Sequence, residues 1–165
     1  MITVREYKSP CGTLILGAVG DSVCLCDWDN AKHKRAVEER IKRFTRLQFN
    51  EGNCDVLNVA INQLDEYFAG TRRGFDVDLL MIGTDFQKTV WDAIMQIPYG
   101  RTMSYGELAT VMGCANSVRA VANAVGANGI SIFVPCHRII GTSGSLTGYA
   151  GGVSAKQKLL ELERV

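Results

Sequence analysis

The residues most able to do chemistry gather at Val134-Pro135-Cys136-His137-Arg138-Ile139-Ile140, where a thiol, an imidazole and a guanidinium follow a proline without a gap. A thiol is a nucleophile once deprotonated, an imidazole can take a proton near neutral pH, and a guanidinium is a fixed cation. Apolar runs on both sides, Ile130-Ser131-Ile132-Phe133-Val134 and Ile139-Ile140, predict that this group lies inside the fold. Each polar member then needs a partner, because an unpaired charge or polar group is costly in an apolar interior. Pro135 fixes its own φ and steers Val134 toward extended geometry, so the chain enters Cys136 in a defined direction. The plain alternative is a buried structural cysteine beside a satisfied histidine.

The elements that must position this group read as α+β: a small N-terminal antiparallel sheet-plus-helix lobe, then a mostly helical lobe containing a helix-turn-helix. Residues 2–8 alternate as a strand, Ser9-Pro10-Cys11-Gly12 turns, and residues 13–18 and 22–28 complete a meander. Residues 31–44 predict a helix burying Ala36, Val37, Ile41 and Phe44, with its basic residues on a solvated face. Residues 47–49 suit a short strand extending the meander. Residues 55–69 form a second helix on a stripe of Leu57, Ile61, Leu64, Tyr67 and Phe68, and Phe75–Leu79 alternates like an edge strand. Ile82-Gly83-Thr84 reads as a linker, dividing the chain into a scaffold domain at 1–80 and a second domain at 84–165.

Thr84 or Asp85 predicts the start of a helix running to Ile97 and burying Phe86, Val90, Trp91, Ile94 and Ile97. Ser104-Tyr105-Gly106-Glu107 fits a capping box opening a helix to Met112; Asn116 or Ser117 then caps another through Val125. Two short helices about a glycine turn match a helix-turn-helix, although an ordinary helical hairpin in a core gives the same pattern. Ala120 and Ala124 predict a nearly bare face with Arg119 beside it. A helix so poor in long polar side chains predicts shallow-groove, shape-based docking rather than base reading. Residues 141–152 hold five glycines and the aromatic Tyr149, a loop that can approach a planar ligand closely. A last helix follows at 154–164, on which Glu163, read alone, is a surface residue.

With 47% hydrophobic and 21% charged residues over 165 positions, the composition is that of an ordinary soluble protein long enough to bury a core. No apolar run reaches membrane-spanning length, and Met1 leads into a charged, alternating segment rather than a signal peptide. A cytoplasmic location is therefore expected, or a nuclear one in a cell with a nucleus. The six cysteines are read as reduced. A zinc site from Cys24, Cys26, His33 and a distant cysteine is the weaker option, since Cys24-Leu25-Cys26 has the wrong spacing. Residues 1–85 carry 11 Lys/Arg against 13 Asp/Glu, and residues 86–165 carry 7 against 4, so only the second half leans toward phosphates.

Taken together, residues 84–163 resemble the O6-alkylguanine-DNA alkyltransferases, the methylated-DNA–protein-cysteine methyltransferase family. The resemblance rests on Pro135-Cys136-His137-Arg138-Ile139-Ile140, with Arg119-Ala120-Val121 upstream and Gly148-Tyr149-Ala150-Gly151-Gly152 downstream. Ser104-Tyr105 and Leu159-Leu160-Glu161-Leu162-Glu163 fall at matching separations, and Ser9-Pro10-Cys11-Gly12 is similar to the family's N-terminal domain. It implies DNA repair by irreversible, single-turnover transfer of an alkyl group from O6 of guanine in duplex DNA to Cys136, with the nucleotide flipped out. His137 would act through a bridging water, since adjacent side chains of an extended chain point apart, and Glu163 would orient it. Asn128 would be the hinge tying the recognition helix to the active segment, and Tyr105 the donor to the leaving guanine. Arg119 would fill the gap in the duplex while Ala120 docks in the minor groove with little sequence preference. Tyr149 would pack on the flipped base, and backbone groups near Cys136, Ile139 and Ala150 would read its edge.

Gly129 and Ser131 stand where the family often has prolines. The second site lines the alkyl pocket, so Ser131 bears on which alkyl groups fit, and the loss of both rings is expected to loosen the approach to Cys136. No cofactor or metal is expected, the partner is double-stranded DNA and not a membrane, and a monomer suits the task. Three other readings compete. A non-catalytic alkylated-base binding protein would lack the cysteine. A hydrolase on Cys136, His137 and Glu163 would need an oxyanion hole and a directly paired histidine. A regulator acting through the helix-turn-helix alone would need base-reading side chains.

Overall fold

The structure, a computed structural model, describes residues 1–146 and 148–164; Thr147 of the glycine-rich loop and Val165 lie outside the described residues. Strands β1 (Ile2–Ser9), β2 (Gly12–Val19) and β3 (Ser22–Trp28) form the expected antiparallel meander. Ser9 Oγ closes the first turn by accepting from the Cys11 amide at 3.1 Å and donating to the Gly12 carbonyl at 2.6 Å. Strand β4 (Phe49–Glu51) starts at the expected strand's last residue and joins β1 in parallel, giving the order β3-β2-β1-β4.

Alternation along β2 sends Leu14, Leu16 and Ala18 to the main core and Ile15 and Val19 to the opposite face. A bulge opposite Gly17/Ala18 leaves Cys24 as the extra residue of β3. Cys24 and Leu25 consequently face one core and Cys26 the other, which separates two of the cysteines weighed as metal ligands. Among the described residues no group of three His, Cys, Asp or Glu side chains converges as a metal site.

Helix α1 (Ala31–Thr45) covers the Cys24 face with Val37 and Ile41, and α2 (Asp55–Phe68) covers the other with Leu57, Leu64 and Tyr67. Ala36 and Phe44, expected on the buried stripe of α1, are exposed; the smaller α1 interface is filled by Val37 and Ile41 with Ile2, Leu25 and Ile82. Ile61 and Phe68 of α2 are partly buried against the main core. Phe75–Leu79 is not a strand. Its backbone is claimed piecemeal: the Asp76 amide donates to Gln63 Oε1 at 3.0 Å, Phe75 packs tilted against Phe133 with centroids 4.5 Å apart, and Leu79 alone bridges Val23.

Helix α3 (Asp85–Met95) opens with a Thr84–Gln87 capping box and stops two residues short of Ile97, with Phe86 exposed rather than buried. Helix α4 (Tyr105–Val111) has the expected Ser104–Glu107 capping box, with bonds of 3.0 and 3.4 Å. Helix α5 (Val118–Gly126) completes the helix-turn-helix, but neither Asn116 nor Ser117 caps it through a side chain; a 3-10 turn, Ala115–Ser117, leads into it instead. Two-residue strands β5 (Met103–Ser104) and β6 (Ile139–Ile140) pair in parallel, and α6 (Gly152–Leu162) closes the chain. The main core runs through both halves, joining Leu16 and Tyr67 to Ile94, Val121, Phe133 and Leu159. Among the described residues no helix is long and apolar enough to cross a membrane.

Candidate active site

The reactive segment is docked on the free edge of β3. The Cys26 amide donates to the Gly129 carbonyl at 2.8 Å, and the Ser131 amide donates to the Cys26 carbonyl at 2.7 Å. A proline at 131 could not make the second bond. At 129 even a Cβ would stand 2.7 Å from Val37 Cγ1, so α1 packs directly over the glycine backbone. Sheet pairing and helix packing thus restrain the approach where rings are missing. The chain then doubles back, the Val134 amide donating to Ile130 O at 2.9 Å, with Ile132 held at φ 74°. A β-branched residue in that region carries about 1–3 kcal/mol of strain, which the surrounding burial must offset.

Cys136–Arg138 is a 3-10 turn rather than extended chain. The consequence expected of extended geometry nevertheless holds: Cys136 and His137 are not bonded to each other. Cys136 Sγ receives Asn128 Nδ2 at 3.1 Å, and the same Nδ2 donates to Val134 O at 3.1 Å while Asn128 Oδ1 accepts from the Ile130 amide at 2.9 Å. Asn128, two residues beyond α5, therefore ties that helix to the cysteine turn. Burial pushes the Cys136 thiol up; the Asn128 bond and the Lys156 charge pull the other way without overcoming it. The resting group is a thiol. Ser131 is buried beside Cys136 and Tyr149, yet among the described residues its Oγ meets no partner in hydrogen-bonding geometry.

Glu163, expected on the surface, is 1% exposed. His137 Nε2 lies 2.7 Å from its Oε2, and Arg138 grips both oxygens, Nε to Oε1 at 2.8 Å and Nη2 to Oε2 at 3.0 Å. Tyr67 donates to Oε2 at 2.6 Å and the Gly100 amide reaches Oε1 at 3.5 Å. Burial alone would raise the Glu163 pKa, but these donors hold it well below the ordinary carboxylate range. Burial lowers the His137 pKa, only partly offset by Glu163, so the ring is neutral. With a carboxylate at Nε2, the single proton belongs there and Nδ1 carries a lone pair. That Nδ1 is buried without a hydrogen-bond partner among the described residues.

Cys136 opens onto a narrow cavity shared with Tyr105, Asn128, Ser131, Tyr149 and Lys156. Its volume, about 10 Å³, is room for roughly one water and far too little for a purine. The lid is the loop before α6. Trp28 Nε1 donates to Tyr149 Oη at 3.1 Å, the rings meet edge to face at 5.8 Å, and Asn30 Nδ2 donates to Ala150 O at 3.1 Å. A Cβ at Gly151 would stand 2.7 Å from the Trp28 ring, so the lid rests on that indole. Lys156 donates to Ile139 O at 2.5 Å. Of the backbone groups expected to read a base edge, the carbonyls of Ile139 and Ala150 are thus already engaged.

On α5, Arg119 and Ala120 are exposed. Ala124 is not part of that bare face; it is buried, and its carbonyl accepts from Trp91 Nε1 at 2.8 Å. Asn123 takes its place outside. The C-terminal carbonyls of α5 are met from α1: Gly126 O by His33 Nε2 at 2.8 Å and Ala127 O by Arg40 Nη2 at 2.8 Å. His33 Nδ1 faces Asp27 at 2.9 Å, and although burial opposes it, that carboxylate raises the His33 pKa. The Arg40 cation here complements the helix dipole.

Family models account for nearly the whole chain: the 6-O-methylguanine DNA methyltransferase ribonuclease-like domain matches residues 2–81, and the 6-O-methylguanine DNA methyltransferase DNA binding domain matches residues 85–165. The chain belongs to the methylated-DNA–protein-cysteine methyltransferase family. The member from Mycobacterium bovis is 56% identical over 99% of this chain and 93% of its own, and that from Methanosarcina acetivorans 40% identical over 95% of each. Among solved structures, Mycobacterium tuberculosis OGT in complex with DNA superposes with a TM-score of 0.84 at 42% identity, covering 98% of this chain and 93% of that one. As a member of this methyltransferase family, the protein repairs DNA by alkyl transfer.

The sequence of this methyltransferase marked Tyr67 only as a buried-stripe residue, did not single out Lys156 or the Trp28–Asn30 latch, and gave Arg138 no partner. One signal was present: Lys156, Leu159 and Glu163 fall on a single helical stripe at spacings of three and four, so the buried Leu159 places both charges inside. Tyr67 and Trp28 carried no such mark, because their partners lie 96 and 121 residues away.

Proposed function

We propose that Cys136 takes the alkyl group from O6 of a guanine flipped out of duplex DNA, once per protein molecule. The observation that carries this reading is the cavity in which Cys136 Sγ, held by Asn128, faces Tyr105 and Tyr149, with the neighbouring His137 Nδ1 unpartnered among the described residues. The sulfur forms a bond to the alkyl carbon as the carbon–O6 bond breaks. The thiol proton passes through a bridging water to His137 Nδ1, and Glu163 stabilises the resulting imidazolium through Nε2. The electron pair left on guanine is met by the Tyr105 hydroxyl, whose raised pKa, mainly from burial, keeps it a donor until charge develops; solvent then restores the phenol. The thioether has no easy route back to a thiol, so the protein is spent.

A cavity of about 10 Å³ is too small for a purine, so the base enters only with the lid raised from Trp28 and Asn30, after which Tyr149 is free to stack on it. Arg119 fills the vacated place in the duplex, and Ala120 allows α5 to lie close in the minor groove with little sequence preference. In this reading residues 84–165 bind DNA and accept the alkyl group on a scaffold formed by residues 1–80. The test is intact-mass spectrometry after mixing the protein with a duplex carrying one O6-methylguanine. A gain of one methyl on Cys136, saturating at one per protein, is expected. Tight lesion binding with no mass gain would instead indicate a non-catalytic lesion binder.

A further inference from the structure

The N-terminal half, read from sequence as scaffold, sends a side chain into the proton-handling group. Glu163 caps the C-terminal end of α6, where the helix dipole disfavours a carboxylate. It is stable there because donors converge on it: Tyr67, His137 and Arg138 Nη2 on Oε2, with Arg138 Nε and the Gly100 amide on Oε1. A carboxylate offers about four lone-pair positions, so these donors saturate it and those on one oxygen compete. Tyr67 makes the shortest of the contacts, 2.6 Å, from a fully buried position. Its ring is fixed among Phe68, Phe75 and Tyr99, with centroids 5.2, 5.5 and 6.3 Å away. Burial first, then the neighbouring Glu163 charge, raises its phenol well above the ordinary range, so it is always a donor.

We propose that Tyr67 is a positioning residue for alkyl transfer: by sharing Glu163 Oε2 it limits how strongly the carboxylate holds the His137 ring, and so keeps that ring neutral and ready for the Cys136 proton. The inference rests on the proposed roles of Cys136 and His137. The charged and titratable groups around the pair are Arg138 from the same turn, Lys156 from α6, and Tyr149 from the lid. Arg138 also donates to Ile97 O at 2.7 Å and lies 5.8 Å from the Tyr99 ring centroid, so it is anchored and cannot swing to replace a missing hydroxyl. Without the Tyr67 hydroxyl, Glu163 concentrates its acceptor strength on His137, the imidazolium is favoured, and the base is lost on the acid side.

The experiment uses Tyr67→Phe, which keeps the ring and removes only the donor. Single-turnover methyl transfer from an O6-methylguanine duplex is followed against pH, and the His137 ring is titrated by NMR in the free protein. The acid limb and the NMR midpoint should both move up by roughly one pH unit, with the alkaline plateau retained. In a Glu163→Gln background the same change should add nothing, since the two groups act as one unit. A purely structural Tyr67 would lower the rate evenly at all pH values and leave the midpoint in place; that result, or an undiminished effect in Glu163→Gln, overturns the proposal. A wild-type protein that transfers no methyl to Cys136 would overturn the underlying roles, and the proposal with them; transfer with an unmoved midpoint sinks the proposal alone.

Discussion

Glu163, which binds His137 and Arg138 of the reactive turn, and Cys136, at the start of that turn, meet their surroundings in opposite ways. The carboxylate is surrounded by donors, from Tyr67, His137, Arg138 and the Gly100 amide, and is held ionised in the interior. The thiol has a nitrogen donor at 3.1 Å, a neighbouring hydroxyl that makes no bond among the described residues, and a narrow cavity covered by a latched loop. The first end is preorganised, because buried charge is tolerable only when every lone pair is met. The second end must stay adaptable, because its partner is a base that arrives from outside. Rigidity is concentrated where a proton is managed, and slack where a ligand enters.

That contrast can be broken from either end. Cys136→Ala should abolish methyl transfer while duplex binding persists, measured by mass spectrometry beside a binding titration; retained transfer would place the chemistry elsewhere. Glu163→Gln should slow alkylation by about a hundredfold or more and cost about 3–5 kcal/mol of stability, since it leaves Arg138 buried beside a neutral amide. It should also change acid sensitivity. The Glu163 carboxyl ionises more readily folded than unfolded, so its stabilising contribution is complete above the unfolded value of about 4.3 and is lost as pH falls through the folded one. Thermal melts of wild type should therefore decline more steeply below that pH than melts of Glu163→Gln.

At the open end the expected effects are smaller. Arg119→Ala should slow repair of duplex DNA by about tenfold while reaction with the free alkylated base is unchanged; equal losses on both substrates would remove its role in flipping. Trp28→Phe deletes the latch donor to Tyr149 and should alter duplex repair by a few-fold at most, through lid opening, without moving the pH profile. A shifted profile in that variant would mean the lid and the proton-handling end are coupled after all.

Local patterns carried much of this molecule. The meander, the capping box at Ser104, the helix start at Thr84 and the helix-turn-helix follow from spacing of two, three and four residues, and each stands in the structure close to where that spacing places it. The misreadings have one cause. Phe75–Leu79 alternates, but Gln63 and Phe133 compete for its backbone and side chains. Phe44 and Phe86 sit on helices whose apolar stripe is wider than the surface they cover. Ala124 is as small as Ala120, yet Trp91 claims it.

Sequence alone determined which atoms could react and in what order they come along the chain: a thiol, an imidazole and a guanidinium in consecutive positions, with a carboxylate on the last helix. Only the tertiary structure decided which of them meet. It turned Cys136 toward Asn128 and His137 toward Glu163, brought Tyr67 and Trp28 across 96 and 121 residues of chain, and buried the carboxylate that a helix end would have left in water. Residue type fixes donor, acceptor and charge, but whether a charge is a surface ornament or a working part depends on burial and partners, and those exist only once the two halves have closed on one core.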